Sequence, residues 1–221
     1  DAIILQVLKR IHSGALTSVG PDRKPIWEKG WSENLKNFVE KGYDVRELSP
    51  KYYRPNQVVR LRRDYVTPVD SNFEFNFFRV LRDWLFRKYL QTAGSVYEFG
   101  CGPGHNLVAL AELYPDKKLY GLDWAVASKD LVNKIAEVYH YNITGLLFDL
   151  FSPDENLSIA RDGAILTVGC LEQIGSGYES FLQFLLAKSP MLCINVEPFC
   201  ELYDRDCLLD YLAIEYQENR K

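Results

Sequence analysis

The sequence predicts a doubly wound α/β fold, in which a mostly parallel sheet carries helices on both faces. From residue 95 onward, short apolar segments typical of buried strands alternate with segments that have helical spacing. Strands that alternate with helices form right-handed βαβ crossovers, so the sheet they build is parallel. The segments at residues 164–168 and 192–196 are largely apolar, as strands covered by helices on both faces must be.

The individual elements follow from the spacing of the apolar residues. The helix expected at residues 105–114 has them at i, i+3, i+4 and i+7, namely Leu107, Leu110, Ala111 and Tyr114. Further helices are expected from Asn72 onward and at residues 127–140, 178–187 and 202–219. Strands are expected at residues 95–99, 118–122, 144–148, 163–168 and 191–196.

The first part of the chain reads differently, and we expect an N-terminal helical cap over residues 1–68 beside a sheet domain over residues 69–221. Short helices are expected at residues 2–11 and 31–41, with a loop between them. Aromatic residues concentrate in this cap: Trp27, Trp31, Tyr52, Tyr53 and Tyr65. Either these rings close over a site as a lid or they pack the cap against the sheet. The arginines of residues 60–63 either bind an anionic group or lie on a solvated face.

The composition excludes several classes of protein. The chain has 221 residues, of which 47% are hydrophobic and 25% charged, values that are ordinary for globular proteins and not for disordered ones. The net charge of -4 argues against a protein that binds the nucleic acid backbone through its overall charge. Because no apolar run approaches the ~20 residues of a membrane span, and no signal peptide is visible, we expect no membrane span.

The cysteines and histidines predict neither a metal site nor a disulfide framework. The five cysteines are odd in number and no pair has Cys-x-x-Cys spacing. Reduced thiols are typical of a cytoplasmic protein, which is the location we expect. The three histidines have no metal-ligand spacing.

The most informative segment is the glycine-rich turn after the first strand of the sheet. Gly100, Gly102 and Gly104 follow that strand and open a helix, whose first N–H groups are free to bind a carboxylate or a phosphate. The dinucleotide fingerprint Gly-x-Gly-x-x-Gly would need glycine where His105 stands. The spacing here is Gly-x-Gly-x-Gly, and Glu98 lies two residues before the first glycine.

In these residues the sequence resembles the class I S-adenosylmethionine-dependent methyltransferases. Their first motif is an acid, any residue and then Gly-x-Gly-x-Gly, here Glu98 to Gly104. Their second signature is an acid that closes the second strand, here Asp123, and their third is an acid after the third strand, here Asp149. The resemblance covers residues 72–215. It implies a Rossmann-like fold, S-adenosyl-L-methionine as cofactor and methyl transfer as the activity.

The resemblance also implies roles for single residues. Asp123 would accept hydrogen bonds from the ribose hydroxyls, and Asp149 would accept one from the adenine amine. Leu150 would donate its backbone N–H to a ring nitrogen of the adenine, and Trp124 would pack against the same base. The amino-acid end of the cofactor would lie over the glycine turn near Glu98. The cofactor residues expected in full are Glu98, Gly100, Cys101, Gly102, Gly104, Asn106, Asp123, Trp124, Asp149, Leu150 and Gly169. Other interpretations stay open, because Asp123 also suits a helix cap and Asp149 a turn before Ser152-Pro153.

The catalytic candidates follow the fourth and fifth strands. Glu172 lies where the family places the methyl group and the acceptor, and Glu197 closes the fifth strand. His105, beside the last glycine, is the third candidate for a proton acceptor. Each has a plainer interpretation, as a solvated loop acid, a cap or a polar residue at a helix start. The segment also resembles a bacterial subgroup whose acceptors are largely unassigned, with sugars one suggestion.

The chain ends soon after the helix that follows the fifth strand, so the sixth and seventh strands of the family are apparently missing. The leading hypothesis is methyl transfer to a small-molecule acceptor carrying a hydroxyl or amine, with no nucleic acid partner. The alternatives are a non-catalytic cofactor-binding module on the same fold and a nicotinamide-dependent oxidoreductase. The sequence does not indicate the oligomeric state.

Overall fold

The N-terminal part of the protein is built from helices and one small hairpin. A computed structural model describes residues 2–14 and 16–220. Helix α1 spans Ala2–His12, α2 spans Lys24–Glu40 and α3 spans Phe73–Tyr89, with short 3-10 turns at Pro21–Arg23 and Val45–Leu48. Strand β1 (Val59–Leu61) pairs antiparallel with β2 (Asp64–Val66).

The remainder alternates strand and helix. The strands are β3 (Ser95–Phe99), β4 (Lys118–Asp123), β5 (Ile143–Leu147), β6 (Gly163–Val168) and β7 (Leu192–Val196). The helices are α4 (His105–Leu113), α5 (Val126–Tyr139), α6 (Leu171–Ile174), α7 (Glu179–Lys188) and α8 (Leu208–Glu218), with a 3-10 turn at Cys200–Leu202. The five strands form one sheet in the order β5-β4-β3-β6-β7, and every neighbouring pair is parallel.

This topology confirms the predicted doubly wound, Rossmann-like sheet. The strand order reverses direction at β3, whose neighbours are β4 on one side and β6 on the other. In such sheets ligands bind outside the carboxyl ends of the strands at the reversal. The glycine-rich turn leaves β3 at that point, so the fold places it at the expected ligand position.

Two expected helix starts are wrong and one hairpin was not expected, each for a local reason. Helix α2 begins at Lys24, because Pro25 occupies its first turn, where a missing N–H costs nothing. Residues 59–66 form a hairpin whose turn places Arg62 and Arg63 at positive φ, a role usually taken by glycine or asparagine. The last helix begins at Leu208 instead of residue 202, because the Asp204 carboxylate accepts the N–H of Asp206 in a turn.

The N-terminal segment shares its core with the sheet domain. Phe38 of α2 and Leu48 are fully buried in one cluster with Phe86, Leu107 and Leu131. A second cluster on the opposite face of the sheet contains the rings of Phe99, Phe148, Phe181 and Phe184. The boundary between residues 68 and 69 stays a prediction, but the packing ties both sides of it to the same apolar core.

Phe38→Ala should therefore destabilise the whole protein. Removing this fully buried ring should lower the free energy of unfolding by about 3–5 kcal/mol, because it leaves a cavity in the shared core. Urea unfolding measures the effect, and the exposed neighbour Val39 supplies the control Val39→Ala, expected to change it by about 0.5 kcal/mol or less. Separate loss of α2, with the sheet unfolding as in the wild type, would contradict a shared core.

Candidate functional site

An open cavity lies at the carboxyl ends of β3, β4 and β6, where ligands bind in sheets of this kind. Its walls are mostly apolar and aromatic, with a few polar groups that converge on the interior. Its lining comprises Trp27, Trp31, Tyr52, Glu98, Gly100, Cys101, Gly102, Pro103, His105, Asn106, Leu122, Asp123, Trp124, Phe148, Leu150, Val168, Gly169, Cys170, Gln173 and Ile174.

The glycine-rich turn forms the floor of the cavity and is held from both sides. The N–H of Gly102 donates to Asp123 Oδ2 at 3.0 Å, and the Ser128 hydroxyl donates to the carbonyl of Gly102. The N–H of Gly100 donates to the carbonyl of Leu122 at 2.7 Å. Gly102 has φ +52°, a conformation that side chains other than glycine adopt at a cost. The protein's own hydrogen bonds thus fix the conformation of the turn.

Asp123 joins this turn to the helix that follows β4. Its Oδ1 accepts the N–H of Ala125 at 2.9 Å, while Oδ2 holds Gly102. The side chain is buried, and burial raises the pKa of Asp123 to about 6. Each carboxylate oxygen keeps a second lone pair, so Asp123 combines a structural role with the ability to accept hydrogen bonds from a ligand.

Helix α2 lies over the same region and forms a roof. The Glu28 carboxylate accepts the N–H groups of Val126 at 2.7 Å and Ala127 at 3.0 Å, which caps the first turn of α5. The rings of Trp27 and Trp31 stack with centroids 5.4 Å apart. Trp31 is so close to the turn that a Cβ on Gly102 would meet its Cζ2 at 2.9 Å. The cap aromatics therefore contribute directly to the cavity.

Several buried polar atoms of residues that line the cavity have no hydrogen-bond partner among residues 2–14 and 16–220. They are Glu98 Oε2, Asn106 Oδ1, Gln173 Oε1 and both ring nitrogens of His105. Buried groups of this kind are costly unless something completes them. Their concentration around one cavity makes it suited to a polar ligand, and the oxygens among them can accept from hydrogen-bond donors.

Glu98 lies at the end of β3 in a fully buried position. Its Oε1 accepts the Asn106 amide N–H at 2.7 Å. Burial raises the pKa of Glu98 to about 8; the Asn106 hydrogen bond and the charge of Arg82 oppose that rise, and the charge of Asp123 adds to it. A cation placed beside its free oxygen would favour the ionised form.

His105 lines the cavity at the start of α4, between the rings of Phe75 and Phe78 at 6.4 and 6.3 Å. Burial, assisted by the charge of Arg82, lowers the pKa of His105 to about 3. The imidazole is therefore neutral near pH 7. It offers one donor and one acceptor to the cavity, but it is a weak base.

The structure brings most of the expected site residues together and leaves four outside the cavity lining. Gly104 faces α5, where an added Cβ would meet Val132 at 3.0 Å. Asp149 Oδ1 accepts the N–H of Phe151 at 2.9 Å in a turn. Glu197 accepts the N–H groups of Cys170 and Glu172 and so caps α6. Glu172 itself accepts the Gln173 side-chain amide at 2.7 Å.

Some lining residues were not among the expected site residues. Tyr52, Trp27 and Trp31 were expected only as a lid or as packing, and the structure places them in the wall. Glu28 had no sequence signal, since a single glutamate on an amphipathic helix resembles any solvated acid. Phe148, Cys170 and Ile174 are apolar residues after strands, which the pattern alone assigns to the core.

Residues 2–14 and 16–220 contain neither a metal-binding group nor a membrane-spanning helix. Within these ranges no group of three His, Cys, Asp or Glu side chains is arranged to hold a metal ion. The helices described there are all too short or too polar to cross a membrane.

Comparisons with known proteins return structural similarity only. No protein-family model and no curated protein sequence matches the chain significantly. Among solved structures, the plantazolicin methyltransferase BpumL in complex with SAH is 16% identical to this chain. The match covers 89% of this chain and 71% of that one, with a TM-score of 0.47. Coclaurine N-methyltransferase bound to N-methylheliamine and SAH is 16% identical. The match covers 86% of this chain and 60% of that one, with a TM-score of 0.45.

A third similar structure concerns the conversion of a disulfide bond into a thioacetal group during echinomycin biosynthesis. It is 18% identical at a TM-score of 0.41, and this chain spans 44% of its length. At these identities the similarity concerns the fold alone. The strand order and the glycine turn define the chain as a Rossmann-like α/β protein with a cavity at the carboxyl ends of its strands.

Gly102→Ala should test the contact between the turn and its roof. The added methyl group would overlap Trp31, whereas Gly169, also at positive φ (+59°), has open space around it. Both substitutions carry the backbone strain, so their difference isolates the contact. Thermal or urea unfolding should show Gly102→Ala to be about 1–3 kcal/mol less stable than Gly169→Ala. Equal stabilities would show that Trp31 does not lie on the turn.

The raised pKa of Glu98 predicts a pH-dependent stability. A carboxyl group that holds its proton more tightly in the folded state stabilises the fold at low pH, and the contribution falls as the pH rises through the folded pKa of about 8. The free energy of unfolding should drop by about 1 kcal/mol between pH 7 and 8.5.

Glu98→Gln is the matched control, because it keeps an oxygen for the Asn106 amide but does not titrate. It should remove this drop, whereas Asp123, with a pKa of about 6, acts mainly at lower pH. Parallel pH profiles for wild type and variant would contradict the assignment.

Proposed function

We propose that the protein transfers a methyl group from S-adenosyl-L-methionine to a small-molecule acceptor. The observation that carries the proposal is the pairing of two buried carboxyl groups with one glycine-floored cavity. Glu98 lines the cavity, and its Oε2 has no partner among residues 2–14 and 16–220, while Asp123 anchors the turn from the neighbouring strand.

The residues present fit the adenosine end of this cofactor. Asp123 has free lone pairs at the end of β4, suited to a ribose diol, and hydrogen bonds to a charged group contribute roughly 1.5–3 kcal/mol each. Trp124, Leu122 and Leu150 supply flat and apolar surface in the same part of the wall. Asp149 stays a proposed partner of the adenine amine, although its side chain accepts a backbone N–H in the turn after β5.

The residues on the other side fit the amino-acid end. Glu98 Oε2 and Asn106 Oδ1 are unpartnered acceptors, as an ammonium group requires. The first turn of α4 offers N–H groups to a carboxylate. When bound, S-adenosyl-L-methionine supplies a methyl group on a positively charged sulfur that is already a good leaving group.

The protein's own residues then have to align the acceptor and exclude water. Trp27 and Trp31 of α2 close the cavity from above, and the turn below is fixed by Asp123 and Ser128. His105 touches the cavity with a neutral ring that can accept or donate a hydrogen bond. Glu172 and Glu197 support α6 from behind the wall, which gives them a positioning role in this proposal.

Isothermal titration with S-adenosylhomocysteine, with NAD(H) and NADP(H) measured alongside, tests the proposal. Micromolar binding of S-adenosylhomocysteine alone supports it. Binding of a nicotinamide cofactor alone would replace it with the oxidoreductase alternative. Binding of S-adenosylhomocysteine without methylation of any acceptor from a broad panel would favour a non-catalytic cofactor-binding module.

Asp123→Ala should weaken S-adenosylhomocysteine binding by about 1.5–3 kcal/mol, because it removes the charged acceptor at the end of β4. Asp149→Ala is the matched comparison, since it removes an equivalent acid whose carboxylate already accepts the N–H of Phe151, and its loss of affinity should be smaller than that of Asp123→Ala. Urea unfolding of both variants separates a local loss from unfolding. A larger loss with Asp149→Ala would reverse the assignment of the two acids.

A further inference from the structure

One side of the cavity has features that bear on the identity of the acceptor, and this inference rests on the proposed function. The side chain of Gln173, on α6, reaches the cavity wall beside Cys170 and Ile174. Its Oε1 is buried and has no partner within the part of the chain that the structure describes. If Glu98 Oε2 takes the ammonium of the cofactor, Gln173 Oε1 is left as an acceptor for a second ligand.

The orientation of the Gln173 amide is set by Glu172. Gln173 Nε2 donates to Glu172 Oε1 at 2.7 Å, and a carboxylate oxygen accepts hydrogen bonds. The amide nitrogen is therefore engaged by Glu172, and the oxygen is the amide atom of this lining residue that stays available to a ligand. The backbone of Gln173 is also fixed, since its carbonyl accepts the N–H of Gly20 at 2.9 Å and its N–H donates to Cys170.

The charge of the cavity points to the same kind of ligand. Its lining, drawn from residues 2–14 and 16–220, contains the acids Glu98 and Asp123 but no lysine or arginine. An anionic acceptor would enter this surface without a countercharge, which is costly in a buried site. An N–H donor, neutral or cationic, meets acceptor oxygens and aromatic faces that favour it.

The chemistry of His105 favours nitrogen over oxygen as the accepting atom. Its pKa of about 3 makes the imidazole a poor base for a hydroxyl group. An amine needs no protein base: an ammonium loses its proton to solvent, the neutral nitrogen forms a bond to the methyl carbon as the carbon–sulfur bond of the donor breaks, and the extra proton of the product goes to solvent. We propose that the acceptor is an amine, bound with an N–H directed to Gln173 Oε1, and that Gln173 determines this specificity while Glu172 positions it.

Probe binding to protein saturated with S-adenosylhomocysteine tests this without turnover. Three probes share a phenyl ring, chosen because the walls are aromatic, and differ in their polar end: 2-phenylethylamine, 2-phenylethanol and 3-phenylpropanoate. Ligand-observed NMR titration should show the amine to bind at least tenfold more tightly than the alcohol and the carboxylate. No detectable amine binding, or a preference for either other probe, would overturn the inference.

Variants connect the preference to the named residues. Gln173→Leu should lower the amine affinity about tenfold and leave S-adenosylhomocysteine affinity unchanged. Glu172→Leu should lower the amine affinity about threefold, because it removes the acceptor that holds the Gln173 amide nitrogen. Glu179→Gln removes an exposed acid from the neighbouring helix and should change nothing. A full amine preference in Gln173→Leu would overturn the role of Gln173.

The cofactor measurement separates the two proposals. Binding of S-adenosylhomocysteine without amine preference contradicts this inference and leaves the proposed function standing. Failure of S-adenosylhomocysteine to bind contradicts the proposed function, and this inference falls with it.

Discussion

The Asp123 carboxylate is the interaction on which the site depends. One oxygen holds the N–H of Gly102 and the other holds the N–H of Ala125, so a single buried side chain joins the turn after β3 to the chain that enters α5. Because parallel strands end at the same edge of a sheet, these two segments are neighbours, but only a short acceptor at this position can join them. The shape of the cavity floor follows from this bridge.

The second constraint is the roof that the N-terminal segment builds over the floor. Glu28 caps α5 at Val126 and Ala127, one turn from the Asp123 bridge, and it brings Trp31 against Gly102. The same helix buries Phe38 in the core of the sheet domain. Binding site and hydrophobic core thus share one helix, and a change that loosens α2 should affect stability and ligand binding together.

How much the sequence alone could predict depended on the range of the interactions involved. The buried strands were predictable because apolar runs between turn residues have few other uses, and β3 through β7 lie within one residue of the expected bounds. The hairpin of β1 and β2 was missed, because Arg62 and Arg63 at positive φ are not a recognisable turn signal. The start of α2 was missed because Pro25 suits both a loop and a first helical turn.

The residues of the site also divide into those that local sequence predicts and those that it does not. Glu98 and Asp123 could be predicted because they lie at strand ends beside glycines, which is a local sequence pattern. The positions of Glu172 and Glu197 could not be predicted in this way. Both lie near a strand end, but their carboxylates accept hydrogen bonds from backbone and side-chain groups around α6. Glu28 and Tyr52 come from a distant part of the chain, so their place beside the cavity depends on tertiary packing alone.

A crystal structure of the protein with S-adenosylhomocysteine tests the central claim most directly. The account predicts electron density along the glycine turn, with the ribose hydroxyls at Asp123 and the amino group within hydrogen-bond distance of Glu98 Oε2. Density that lies elsewhere on the molecule, or a ligand in this cavity that leaves Glu98 Oε2 unpartnered, would contradict it.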